Sequence, residues 1–172
     1  MDQFSRVLHT GVWFQHLLTI MRLTAKGRYA VTAMLDIALH DHEVPVSVHD
    51  IAHRQSISST YLEQIVGRLK RAGLLHSHRG PGGGYQLGRA AEEISVSAIV
   101  SAVGEGVDVT RCAGKADCHE GHVCMTHDLW VDLSAQIDGF LQSITLGSLM
   151  RKCQAEGADD AALGLIAATH LT

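Results

Sequence analysis

The chain has 172 residues, 46% of them apolar and 19% charged, with two prolines and a formal net charge of −4. That length and apolar content suffice for one globular core with an appended element, and the modest charge excludes a largely disordered polymer. No apolar run reaches the roughly 18 residues of a membrane-spanning helix. With no export signal in the chain, its four cysteines point to a reducing cytoplasm, where thiols serve as ligands rather than as disulfides.

Residues 1–20 lack the basic start and small-residue cleavage site of a secretory signal. They read as an extension outside the native fold, with Met21 a plausible second start and a short interfacial helix as the alternative. "LTAKGRYAVTAMLDIALH" predicts a helix capped by Thr24, with Ala30, Met34, Ile37 and Ala38 on its apolar face. Pro45 breaks it. "SVHDIAHRQ" predicts a short helix, because Ser47 stands three residues before Asp50 in capping register. After the tight connection "SIS", "SSTYLEQIVGRLKRAG" places Leu62, Ile65, Val66 and Leu69 on one stripe. Arg68, Lys70 and Arg71 load its last turns, and Gly73 ends it. Two short strand-like pieces, Leu74 to His78 and Tyr85 to Leu87, then flank a Pro/Gly tip. A phosphate cradle needs a helix after its glycines, and here a strand follows.

Helix, short helix, tight turn, basic helix and hairpin make a winged helix-turn-helix. Charge agrees: from Arg22 to Arg89 nine Lys/Arg face five Asp/Glu, a net of +4, while the remainder carries five against thirteen, a net of −8. A basic segment joined to an acidic one suits a polyanion-binding module with a partner of different task. "SVSAIVSAVGE" adds a short helix. "THDLWVDLSAQIDGFLQSITLGSLM" is the longest helical pattern, striped by Trp130, Leu133, Ile137, Phe140, Leu141 and Ile144. Such a helix buries itself against a twin in a two-fold dimer or packs on its own domain; the dimer is the expectation. From Arg151 onward a loose tail is expected. The fold class is therefore mainly α: a winged helix-turn-helix with a small β-hairpin wing and a long C-terminal dimerisation helix. The expected segments are 1–20 (extension), 21–92 (DNA binding), 93–150 (cysteine loop and dimer helix) and 151–172 (tail).

Between the two halves Cys112, Cys118, Cys124 and His127 form a C-x5-C-x5-C-x2-H run. Structural zinc sites bring cysteines as close pairs separated by two to four residues, so two five-residue gaps do not make a zinc knuckle. A two-iron cluster spreads four ligands over two metals, and a long wrapping run suits it. Gly114 and Gly121, with no β-branched residue between Cys112 and Cys118, let the loop turn. One imidazole among thiolates removes a negative charge and is easily protonated, which suits a sensor. A zinc site and redox-active free thiols remain open alternatives. His119 and His122 read as solvated loop residues and Cys153 as an inert thiol.

On the second helix, Thr60, Tyr61, Glu63 and Gln64 occupy the exposed N-terminal side. Glutamine can pair with adenine in two hydrogen bonds and glutamate can accept from cytosine. A capping box of Thr60 with Glu63, and partial core packing of Tyr61, are the structural alternatives. Arg68 suits phosphate contact, and Arg79 beside the wing tip suits a minor groove.

"MRLTAKGRYAVTAMLDIAL", "YLEQIVGRLKRAGL", "RGPGGGYQLG" and the cysteine run leading into "DLW" together resemble the IscR family of bacterial regulators of iron–sulfur cluster assembly. The resemblance covers Met21 to about Met150. It implies a homodimeric winged-helix repressor and activator that holds a [2Fe–2S] cluster through Cys112, Cys118, Cys124 and His127. It also implies palindromic double-stranded DNA as partner, read by the helix of Tyr61, Glu63 and Gln64 and by the wing at Arg79. The cluster-assembly machinery would be the cluster donor. The related nitric oxide sensor NsrR shares the three cysteines but uses an aspartate where this chain has Arg28, so it fits less well. The expected function is a cluster-gated transcription regulator of cluster-assembly and related genes, with a redox-, nitric oxide- or zinc-responsive regulator of the same fold as the alternative. An enzyme is disfavoured, because no nucleophile–base or carboxylate pair has motif spacing. An electron carrier has no need of a winged helix-turn-helix.

Overall fold

A computed structural model describes residues 24–40, 44–110, 112–119 and 121–155. Helix α1, Ala25–His40, buries Ala30, Ala33, Met34, Ile37 and Ala38 along one side. Small residues alternate with Met34 and Ile37 there, so neighbouring helices can approach closely. Thr24 caps α1 as expected, its hydroxyl accepting from the Lys26 amide at 3.2 Å. Helix α2, Val48–Gln55, starts at Ser47, whose hydroxyl accepts from the Asp50 amide and donates to its carboxylate at 2.7 Å. Ser56 then takes a left-handed backbone with φ 54°, and Ile57 drops into the core. That turn sends the chain into α3, Ser59–Arg71, which buries Leu62, Ile65, Val66 and Leu69.

One buried carboxylate holds the first two helices together. Asp36 on α1 is 2% exposed. It accepts 2.6, 3.1 and 3.2 Å bonds from the Arg54 guanidinium and a 2.7 Å bond from Gln55. Burial pushes its carboxyl upward, but the Arg54 and Gln55 bonds and the Arg54 charge outweigh that and hold it below the usual carboxylate range.

Gly73, at φ 71°, closes α3 in the left-handed region that glycine adopts without strain. Strands β1, Leu75–His78, and β2, Gly84–Leu87, form the antiparallel wing, with Leu75 opposite Leu87 and His78 opposite Gly84. Lys70 ties α3 to β1 through the Ser77 hydroxyl at 2.6 Å. The wing root is fixed by Val46, which exchanges two backbone bonds with Tyr85 at 2.8 and 2.9 Å. A Cβ on Gly84 would stand 2.5 Å from the Val46 carbonyl oxygen, so this crossing needs glycine.

A short 3₁₀ turn, Ala91–Glu93, leads to α4, Val96–Ala102. Ile94, Ile99 and Val103 enter the same hydrophobic cluster as α1 and α3. The core thus continues beyond residue 92, where the sequence placed the boundary of the DNA-binding segment. Helix α5, His127–Ser143, is shorter than the expected long C-terminal helix. After it the chain runs extended: Thr145 bridges Ser95, the Val96 amide donates to Ile144 at 2.9 Å, and the Leu146 amide donates to Ile94 at 2.8 Å. The intervening strand-like pairing is why the helical pattern breaks. Leu146 is fully buried in the core. Residues 146–155 are helical, so 151–155 continue a helix instead of beginning a loose tail. The expected extension at 1–20 and the tail beyond 155 lie outside the described residues.

Two units result. One comprises residues 24–106 together with 138–155 and contains the core; the other spans 107–137. In α5 no residue is buried, and Trp130, Leu133 and Phe140 are exposed.

Leu146→Ala is expected to cost about 2–5 kcal/mol in denaturant unfolding, as for other filled core sites. A loss below about 1 kcal/mol would show that the returning segment is not part of the core. Because the Asp36 carboxyl is lowered in the folded state, its contribution is complete above its unfolded value near ~3.9 and fades as pH falls below that. The stability difference between the native chain and Asp36→Asn should therefore be flat above about pH 5 and shrink below about pH 4, as read from melts across that range.

Candidate metal centre and nucleic-acid interface

The cysteine loop is shaped by its own backbone. Thr110 turns on Asp108 through amide and hydroxyl bonds of 2.7 and 2.6 Å, and its hydroxyl oxygen accepts from the Gly114 amide at 2.7 Å. Ala113 and Ala116 are left-handed at φ 51° and 60°, and Gly114 and Gly121 at 74° and 85°. His119 and His122 exchange two backbone bonds, at 3.0 and 2.8 Å, around Gly121. This closes a small hairpin between the second and third cysteines. The Val109 amide donates to Ser134 Oγ on α5 at 3.0 Å, which fixes the start of the loop to the helix that carries His127.

These turns bring three ligand atoms together. Cys112 Sγ lies 3.5 Å and Cys118 Sγ 3.6 Å from His127 Nδ1. The two sulfurs and that nitrogen are all within 4.8 Å of one another. The Cys124 amide donates to Cys118 Sγ at 3.1 Å, while the Cys124 thiol reaches Thr126 Oγ1 at 3.8 Å. Cys124 lines the same cavity of about 370 Å³ as the other three, together with Trp130, whose indole N–H donates to Thr126 Oγ1 at 3.1 Å.

Burial pushes the Cys112 thiol up, but the Ala116 amide, the Thr110 hydroxyl, Cys118 and the His127 charge bring it below its ordinary value. Cys118 is pushed up, mainly by its hydrogen bond with Cys124, which the Cys124 amide only partly offsets. Cys124 is lowered, first by Cys118 and then by the Thr126 amide. Soft thiolate and imidazole donors with no carboxylate among them suit iron in a sulfide cluster or zinc and exclude a magnesium- or calcium-type site. The residues present therefore fit a thiolate-held metal group.

On α3, Thr60, Glu63 and Gln64 are exposed. The helix begins at Ser59 with Ser58 as its cap, so Thr60 lies inside the first turn and forms no capping box with Glu63. Tyr61 is half-buried and meets Tyr29 of α1 edge to face, with ring centroids 5.9 Å apart. Arg68 donates to the Val103 carbonyl at 3.3 Å, which ties α3 to the end of α4; it has a structural bond besides any phosphate contact. Arg79 is exposed at the edge of the wing tip. Thus the face expected to read bases is free, while Tyr61 and Arg68 are engaged.

Sequence reading missed Glu105. Its side chain is 6% exposed and accepts from the Thr24 and Gly27 amides at 3.1 and 3.0 Å, from the Thr24 hydroxyl, and pairs with Lys26 at 3.8 Å. A carboxylate on the first amides of α1 meets the positive end of the helix dipole. A lone acid between glycines in "VGEGV" is the only sequence signal for it. Asp36, alone in the apolar run "AMLDIAL", carried a similar signal. Trp130 was read only as stripe and also walls the cavity.

A family model for the Rrf2 iron-dependent transcriptional regulators matches residues 23–152. The chain is 61% identical over 131 residues to the HTH-type transcriptional regulator IscR of Photobacterium profundum, covering 76% of each chain. It is 60% identical over 130 residues to IscR of Serratia proteamaculans, covering 76% of this chain and 79% of that one. Among solved structures, T. potens IscR superposes with a TM-score of 0.64 at 36% identity, covering 77% of this chain and 88% of the other. CymR, the global cysteine regulator of B. subtilis, gives 0.67 at 30% identity, with coverage of 77% and 98%.

Proposed function

Starting from the premise that this chain belongs to the Rrf2 family of iron-dependent transcriptional regulators, we propose that it is a homodimeric DNA-binding regulator gated by a [2Fe–2S] cluster held by Cys112, Cys118, Cys124 and His127. The observation that carries this reading is the convergence of Cys112, Cys118 and His127, with Cys124 lining the same cavity. A bound cluster supplies a group whose gain or loss changes the order of the loop. Every other step belongs to side chains. Cys112 and Cys118 enter as thiolates, and His127 contributes its neutral ring from the first turn of α5. Cys124, whose thiol lies against Thr126, would complete the set.

One carboxylate next to the loop, Glu105, delivers the signal. Glu105, two residues before the loop unit begins, holds the N-terminus of α1. Helix α1 in turn packs Tyr29 on Tyr61 of α3. Pulling Glu105 away would unseat the first turn of α1 and shift α3 through that ring pair. On DNA, Gln64 reads a base pair, and Glu63 rejects sites that offer it no cytosine amino group. Arg79 and the wing take the minor groove or backbone. Exposed Trp130, Leu133 and Phe140 on α5 supply the dimer face for a palindromic operator. The cluster-assembly machinery is the donor, and the compartment is the cytoplasm. No helix of the described residues is long and apolar enough to cross a membrane.

Anaerobic isolation tests the reading. Iron and acid-labile sulfide are expected in equal amounts, two of each per chain, as the [2Fe–2S] formula requires. Protein with full thiol content that accepts no sulfide on reconstitution would refute the cluster.

A further inference from the structure

The two short distances to His127 suggest a second occupant of the loop. Zinc–thiolate bonds of about 2.3 Å and zinc–imidazole bonds of ~2.0–2.1 Å, meeting at a tetrahedral angle, put sulfur and nitrogen about 3.5 Å apart. The observed separations from His127 Nδ1 are 3.5 Å to Cys112 and 3.6 Å to Cys118. A cluster of two irons divides its ligands between two metals. Three ligands cannot be so divided without splitting at least two of their three pairs, yet here every pair lies within 4.8 Å. The protein scaffold alone thus arranges Cys112, Cys118 and His127 around a single centre.

Cys124 stands apart from that arrangement. Its thiol is turned to Thr126, and its service to the group comes from its backbone amide, which hydrogen-bonds Cys118 Sγ. An N–H···S bond of this kind stabilises the thiolate and survives any change of the Cys124 side chain. The cavity is open to water, so a fourth vertex can be filled by solvent.

We propose that, without a cluster, Cys112, Cys118 and His127 hold one tetrahedral divalent ion of the zinc class, with solvent as fourth ligand. Binding exchanges the two thiol protons of Cys112 and Cys118 for the metal and releases both to solvent; the neutral ring of His127 donates its Nδ1 lone pair, and no electron is transferred. The two occupants share ligands, so zinc and the cluster exclude each other. This inference does not depend on the cluster reading, because it follows from the geometry of three residues.

The test uses the full-length apo protein under anaerobic conditions with a non-thiol reductant. Cobalt(II) is titrated as the spectroscopic stand-in for zinc. One equivalent per chain should bind with the intense visible bands of tetrahedral cobalt and with thiolate charge-transfer absorption, and one equivalent of zinc should bleach both. Cys124→Ser should keep this one-to-one binding, whereas Cys112→Ser should lose it. The same Cys124→Ser protein should fail to take up iron with sulfide, which separates the two occupants. Absence of saturable cobalt binding by the wild-type chain, a weak octahedral spectrum, or loss of the tetrahedral bands in Cys124→Ser as complete as in Cys112→Ser would each overturn the proposal. Wild-type protein that binds cobalt but no sulfide-bearing cluster would sink the cluster reading and leave this one standing.

Discussion

The pairing of residues 94–96 with 144–146 returns the chain to its core after the cysteine loop. Thr145 bridges Ser95, and Leu146 fills the core shared by α1, α3 and α4. Residues 107–137, which hold all the candidate ligands, are therefore an insertion with both ends fastened to one core. Each fastening is reinforced by a buried or half-buried polar contact. At the departure Glu105 binds the start of α1. At the return Asp138 accepts from the buried Ser97 hydroxyl at 2.6 Å. Fixing the ends of a loop removes much of the entropy that a free loop would lose on binding a metal, so its ligands begin nearer to each other.

The same core explains how reading DNA and holding a metal can occupy one short chain without competing for residues. Helix α1 has three separate obligations. Its middle clamps α2 through Asp36 and Arg54, its N-terminal half sets Tyr29 edge to face against Tyr61 of α3, and its first amides lie on Glu105. The buried ion pair is the least forgiving of these, because removing one partner leaves an unpaired charge inside the unit. It sets the angle of α2, and the turn at Ser56 and Ile57 then sets α3. The face of α3 proposed to read bases carries exposed side chains, Glu63 and Gln64 above all.

Much of this was legible in the sequence. The periods of α1 and α3, the Ser47 cap and the glycine-tipped wing are local signals: each depends on a few neighbouring residues, and local physics decides them. Of the C-x5-C-x5-C-x2-H run, Cys112, Cys118 and His127 come together, and Cys124 lines the same cavity with its thiol turned to Thr126. What escaped was non-local. Nothing near Thr145 announces a bridge to a residue fifty positions earlier, so the helical pattern reads on past Ser143 to Met150, although α5 stops at Ser143. Glu105 and Asp36 looked like ordinary acids, because their partners lie on other elements. Arg68 looked free for phosphate because the Val103 carbonyl it binds is distant in sequence.

The central claim is that the state of the cysteine loop decides how α3 meets DNA. Its most direct measurement is the affinity of one dimeric preparation for a palindromic operator, selected from random sequence, before and after anaerobic removal of the cluster. Gln64→Ala serves as the control for base reading. The account predicts that removing the cluster changes the preferred sites, while Gln64→Ala relaxes one base pair per half-site at a cost of roughly 1–3 kcal/mol. Identical site profiles and affinities for the cluster-bound and cluster-free protein would contradict it.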